Sequence, residues 1–315
     1  SQECENVATA TVERATTDRV QDAMALGRGI AGFAEAFASD PPDDVLILGD
    51  RIQAFAAVTA ASVAGVNVAH LHGGDRAEGI ADESLRHAIT KLAHIHLPAT
   101  TVSAQRIIAM GEHPDRVHVV GSPAIDGLDQ IKPISDKDYH ALGGPRLIVL
   151  MHPLGREEDV EFQNATAIIT AAREFGPILL LHPNHDPGRE GIMRAIDESG
   201  CEHRAHLPRD TFISLFKRVG ILIGNSSAGL IECAALGVRA INIGNRQRGR
   251  ERAGNVTDVP ESDSGALRST ISSALNAPRL APNQHFGDGR TGPRTADVLA
   301  TFNLKSHGLA KYNTY

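Results

Sequence analysis

The residues from 70 to 87, HLHGGDRAEGIADESLRH, bring together three histidines, four carboxylates, two arginines and three glycines. Such a mixture suits a bound metal, a proton in transit or a sugar; neither an amphipathic helix nor an ordinary surface loop needs it. His70 and His72 alternate on one strand and so point the same way, and His94 and His96 repeat that spacing on the next. A catalytic metal would need three well-placed protein ligands, and the H-E-x-x-H form is absent. Histidines satisfied in or behind the core are therefore the better reading, and no metal is expected. Gly73 and Gly74 allow a sharp turn or a close approach to a ligand. Asp50 ends a buried apolar run, and Asp82 is aimed at the same edge. Two carboxylates in unlike surroundings can divide acid and base duties. His152, closing the first strand of the second half, would face them across a cleft.

A different chemistry is carried by ILIGNSSAGLIECAALG, which reads as strand, tight turn and helix N-terminus. Ser226, Ser227 and Gly229 would place hydroxyls and backbone N–H groups where a phosphate binds. An ordinary serine cap fits equally well until the next loop is read. There NRQRGRERAGN supplies Arg246, Arg248, Arg250 and Arg252, a basic run in an acidic chain, and one or two of them can reach a diphosphate. The turn lacks the G-x-S-x-G pattern, which argues against a serine hydrolase. A diphosphate site on one half, with carboxylates and histidines on the other, suggests a nucleotide-sugar clamped between two domains.

The elements that must position these groups follow a β–α rhythm from Asp43 onward, interrupted by DQIKPISDKDYHALGGP and then restarted. Alternation of this kind predicts an α/β protein of two Rossmann-like, doubly wound parallel sheets. The expected divisions are 1–143, 144–290 and a final helix and tail over 291–315. In such sheets ligands bind beyond the carboxyl ends of the strands, where Asp50, the 70–87 stretch, His152, His182 and the serine pair all fall. GRGIAG at 27–32 matches the dinucleotide fingerprint formally but follows no strand, so close helix packing is expected there instead. With 315 residues and 42 % apolar content, two cores can be filled. A net charge of −7 argues against a nucleic-acid or anionic-membrane partner. Three scattered cysteines and no apolar run long enough to span a bilayer point to a cytoplasmic protein.

LGDRIQAFAA, AHLHGGDRAEGIADESLRHAITKLAH, VVGSPAID, GNSSAGLIECAALG and INIGNRQRGRERAGNV together resemble the UDP-N-acetylglucosamine 2-epimerases, over about residues 20 to 303. More specifically they look like the hydrolysing branch that makes N-acetylmannosamine for sialic-acid synthesis. The resemblance implies a GT-B-like fold, a UDP-sugar substrate, no cofactor and a homo-oligomer, either dimer or tetramer. It also implies roles. Asp50 and Asp82 match carboxylates of the C2 proton transfers, and His152 a histidine near the leaving diphosphate. Ser226 and Ser227 match phosphate ligands, and Glu232 a ribose ligand. Arg51, Arg246 and Arg250 match cleft arginines, Asn184 a sugar-side position, and AHLPRD the loop that receives the uracil. His72 stands among the catalytic candidates, where other members carry a carboxylate before the paired glycines. Family members also open with a strand and a GTRxEYG-like loop. Nothing similar precedes ATVERATTDRVQDAM, so one or two β–α units, about thirty residues for each strand–helix–strand, are expected to be missing. The rivals are a non-hydrolysing epimerase acting on the same sugar nucleotide, and a truncated, non-catalytic nucleotide-sugar binder.

Overall fold

A computed structural model describes residues 19–76, 82–302 and 309–314. The described chain divides into two compact units: residues 19–75, 82–121 and those from Pro293 onward in one, and 122–292 with Arg76 in the other. Among the described residues no helix is long and apolar enough to cross a membrane. The opening segment through residue 18, including most of ATVERATTDRVQDAM, lies outside the described residues.

The first unit holds α1 (Arg19–Ser39), β1 (Asp44–Leu48), α2 (Ile52–Val63), β2 (Asn67–Leu71), α3 (Asp82–Leu92), β3 (Ile95–Leu97) and α4 (Thr101–Ala109). Its strands form a parallel sheet in the order β1-β2-β3. β2 is buried throughout, as a strand covered on both faces must be. Ile47, Val68 and Ile89 pack with Phe33 and Phe37 in one cluster, and Ala69, Leu71, Ile95 and Leu97 meet Val298, Leu299 and Phe302 in another. Gly65, at φ 72°, closes α2 in the left-handed backbone that suits glycine. GRGIAG does lie inside α1, but a Cβ added to Gly27 or Gly32 would meet nothing within 4 Å. Close packing is therefore not what those glycines serve. RVHVVGS, apolar enough for a strand, makes one isolated bridge, Val117 to His96.

The second unit contains α5 (Asp136–Ala141), β4 (Leu147–Leu150), α6 (Glu158–Arg173), β5 (Ile178–Leu181), α7 (Arg189–Ser199), β6 (Glu202–Arg204) and α8 (Arg209–Phe216). β7 (Ile221–Gly224), α9 (Glu232–Ala235), β8 (Arg239–Ile243), β9 (Val256–Val259) and α10 (Ser264–Asn276) follow; α11 (Thr291–Thr301) comes last in the chain. All six strands are parallel, in the order β6-β5-β4-β7-β8-β9. That is the doubly wound arrangement whose direction reverses between β4 and β7, and the crevice at such a reversal is where ligands bind. LIVL, ILLL and ILIG are wholly buried strands, and each fully buried Leu or Ile contributes about 1.5–3 kcal/mol. Side chains of β4 alternate between the two cores: Leu147 and Val149 pack with α6 and α7 residues, Ile148 and Leu150 with Leu215 and Phe216 of α8.

Candidate functional site

In the first unit polar groups gather at the carboxyl ends of β1 and β2. Gly49, at φ 78°, turns the chain out of β1; its N–H donates to Leu71 O at 3.1 Å, and His70 Nε2 lies 2.9 Å from its carbonyl. Burial pushes His70 down to about 3, so the ring is neutral and Nε2–H is the donor. Asp50 follows and forms an ion pair with Arg86 of α3, whose side chain is only 3 % exposed. Arg51 sits at the N-cap of α2 with extended backbone and makes no capping side-chain bond.

His72 has φ 65°, the one non-glycine residue with positive φ among those described. It has left the strand, so the alternation expected to aim it alongside His70 does not apply. Instead His72 Nδ1 pairs with Asp75 Oδ2 at 2.9 Å, and Asp75 Oδ1 accepts from Ser103 Oγ at 2.8 Å. Gly74 makes this turn possible, since a Cβ there would lie 2.3 Å from Ser103 O. An imidazole held by a carboxylate in this way can pass a proton. The side chain of Asp82 lies outside the described residues; its backbone opens α3, four residues before Arg86.

The second histidine pair is structural. His94 Nδ1 accepts from Val68 N at 3.1 Å, and His96 Nε2 meets Glu112 Oε2 at 2.9 Å. Burial pushes His94 down to about 4. Among the described residues no three His, Cys, Asp or Glu side chains gather where a metal ion could sit.

In the second unit the residues converge on the crevice between β4 and β7. His152 follows β4; its N–H donates to Asn225 Oδ1 at 2.7 Å, and Asn225 Nδ2 donates to its carbonyl at 2.8 Å. Asn184 N–H donates to His152 Nδ1 at 3.2 Å, which leaves the proton of the neutral ring on Nε2. His152 is thus oriented to donate a hydrogen bond from Nε2. The loop behind it is pinned by Arg156, which bridges Glu261 at 2.7 Å and Glu161 at 3.0 Å.

Gly224 ends β7 at φ 145° with a would-be Cβ 1.9 Å from Leu150 O, so only glycine lets β7 approach β4 here. Ser226 Oγ accepts from Ala228 N at 3.4 Å and caps a single 3-10 turn over Ser227–Gly229. The continuous helix expected from Ser227 onward is broken: α9 begins only at Glu232 and spans four residues. Anion binding at this turn would rest on hydroxyls and nearby cations, with little helix dipole behind it. Arg246 is 7 % exposed, and its Nη1 donates to Asn225 O at 3.3 Å, beside Gln247 Nε2 at 2.8 Å. Arg246 also lies 3.8 Å from Asp186, which accepts from Asn184 Nδ2 at 2.5 Å. Arg250 shares that loop through its N–H to Gln247 O, 3.3 Å. In AHLPRD, Arg209 turns to the carbonyls of Ala124 and Asp126, at 3.1 and 2.8 Å.

Compared with known proteins, residues 6–300 match the family model described as UDP-N-acetylglucosamine 2-epimerase. The chain belongs to that epimerase family. A relative from Legionella pneumophila, UDP-N,N'-diacetylbacillosamine 2-epimerase (hydrolyzing), is 37 % identical over 96 % of this chain and 83 % of its own. A UDP-N-acetylglucosamine 2-epimerase from Neisseria meningitidis is 29 % identical over 87 % of this chain and 75 % of its own. Among solved structures, the Neisseria meningitidis enzyme bound to UDP-GlcNAc superposes with TM-score 0.75 at 18 % identity, covering 91 % of this chain and 83 % of that one. The fold of this family member is accordingly GT-B-like α/β.

Within the epimerase chain, Asn225 is hydrogen-bonded to His152 and Arg246, Asn184 to His152 and Asp186, and Ser226 follows Asn225 directly, while Asp50 and His72 stand at the ends of neighbouring strands. Asp75, Arg86 and Asn225 were not singled out by the sequence. Asp75 stands one residue past the paired glycines, and Arg86 one helical turn beyond Asp82, spacings that could have drawn attention. For Asn225 no pattern sufficed: its importance comes from contacts with residues 73 positions away.

Proposed function

We propose that this chain is a hydrolysing 2-epimerase of a UDP-linked 2-acetamido sugar. In the reaction, the bond between C1 and the diphosphate oxygen breaks as the C2 proton is removed, leaving a C1=C2 glycal and UDP. Water then adds its oxygen to C1, and C2 takes a proton on the opposite face, giving the free sugar inverted at C2. The observation that carries this reading is the 37 % identity, across nearly the whole chain, to a relative named as hydrolysing.

The first unit supplies the proton-transfer groups: Asp50, Asp82 and the His72–Asp75 pair. The second holds the leaving group, with Ser226 and Ser227 on the phosphates, Arg246 and Arg250 neutralising charge, and Glu232 on the ribose. His152 donates Nε2–H to the departing diphosphate oxygen, where a fixed donor lowers the barrier most. Arg51 and Asn184 contact phosphate and sugar, and the AHLPRD backbone takes the uracil. Proton transfer and elimination require neither metal nor nicotinamide. Likeness to the relative named UDP-N,N'-diacetylbacillosamine 2-epimerase supports that sugar nucleotide, ahead of UDP-N-acetylglucosamine, as the substrate of this chain. Incubation with each in D₂O, followed by product NMR, tests the reading: free UDP and a C2-deuterated, inverted free sugar are expected. A product still attached to UDP would overturn the hydrolytic step, and turnover of UDP-N-acetylglucosamine alone would overturn the substrate.

A further inference from the structure

Asn225 is fully buried where β4 and β7 part, yet no step of the proposed reaction uses it. All its polar groups are nevertheless engaged. Its side chain grips both backbone groups of His152, at 2.7 and 2.8 Å. Its own N–H donates to Leu150 O at 3.2 Å, continuing the ladder from β7 to β4. Its carbonyl accepts from Arg246 and Gln247 at 3.3 and 2.8 Å. The residue that follows it is Ser226, first of the serine turn. Three loops, after β4, β7 and β8, therefore meet on one side chain and its peptide.

Only one orientation of the amide satisfies these partners, because His152 presents one donor and one acceptor. We infer that Asn225 is a positioning residue for the epimerase reaction, holding His152, the serine turn and the Arg246 loop in one register. The inference rests on the proposed function. It assigns Asn225 no contact with substrate. Its effect is that His152 and the phosphate-binding turn cannot shift independently, so a diphosphate seated on Ser226 and Ser227 meets Nε2 already in place. A misplacement of about 1 Å in such a group can cost on the order of 100-fold in rate.

Asn225→Asp gives a test that a purely structural role would not pass. A protonated carboxyl has the shape of the amide and can donate O–H to the His152 carbonyl while accepting from its N–H. The ionised carboxylate has only acceptors and repels that carbonyl. Removing it from water raises its pKa, so the grip should return as pH falls. The turnover of Asn225→Asp relative to wild type, followed from pH 8.5 to 6, is expected to start about 100-fold down and recover at least about tenfold. Asn225→Ala should be impaired at every pH, and UDP titration calorimetry should show weakened binding alongside the lower kcat. A pH-independent ratio for Asn225→Asp, or kcat within about twofold of wild type in both variants, overturns the positioning role. Thermal melts at each pH identify loss of folding; should Asn225→Ala fail to fold, the pH ratio of Asn225→Asp decides alone. A wild-type chain that neither releases UDP nor exchanges deuterium overturns the epimerase reading and this role with it.

Discussion

Asp50 shows what a single side chain can be asked to do twice. The proposed reaction gives it the C2 proton to handle, and it is also the counter-ion of Arg86, which is almost wholly enclosed. Removing one member of a buried pair typically costs about 3–5 kcal/mol because the other charge is left unmatched. Asp50→Asn is therefore expected to abolish C2 deuterium exchange and also to lower stability by about 2–4 kcal/mol, less than the full figure because Asp50 is partly open to water. Denaturant unfolding checks the second half; a variant inactive yet as stable as wild type would confine Asp50 to chemistry. Residue identity alone announced Asp50, His152 and the serine pair, since charge at a strand end is visible in a string of letters. Nothing in the letters could announce Asn225, whose partners are set by tertiary contacts, and the helical spacing of Arg86 from Asp82 does not reveal its pairing with Asp50. The sequence offers His152 as a candidate but not its tautomer, because the Asn184 N–H that fixes it comes from another loop.

Among the elements, β4, β5, β7 and β8 of the second sheet could be read from apolar runs spaced by helical stretches, whereas β6 is the polar EHR. β9 and α10 were missed because VTDV carries two exposed positions and α10 is rich in serine, so neither shows a strong apolar period. The composition after the serine turn suits one continuous helix; the structure gives one 3-10 turn and a short helix instead. Gly224 marks the tightest point between elements. Gly224→Ala would press a methyl against the Leu150 carbonyl and force β7 away from β4. A loss of about 3 kcal/mol or more is expected, above the usual range for overpacking because backbone is the obstacle. Thermal unfolding measures it, and a wild-type midpoint would mean that the two strands yield easily.

At the scale of the whole molecule, a set of acid-sensitive groups lies in the first unit. His70 and His94 are held at about 3 and 4 by burial, well under the 6.5 of an exposed imidazole. The unfolded chain thus binds more protons below pH 6.5, and stability, complete above that pH, drains away as pH falls toward 3–4. Glu112 acts in the same direction at lower pH. His96, Lys311 and Lys91 surround it and hold it near 2, so its contribution is present above 4.5 and lost on the way down to 2. Between pH 6 and 4.5 the slope of unfolding free energy should approach about 1.4 kcal/mol per pH unit for each histidine so held, and His96, lowered by burial as well, adds to His70 and His94. Chemical denaturation across that range tests it, and a flat profile would show that these rings titrate normally. The parallel architecture was legible from the β–α rhythm, whereas this network was not. It draws on Lys311, more than 200 residues along the chain from Lys91, and sequence separation hides such meetings.

His72 also restricts how descendants of this chain can vary. A left-handed backbone is comfortable for glycine and tolerable for asparagine, aspartate or histidine, but branched side chains are shut out by their own Cβ substituents. Drift at that site is thereby funnelled toward a handful of small or polar types before any demand of chemistry is imposed.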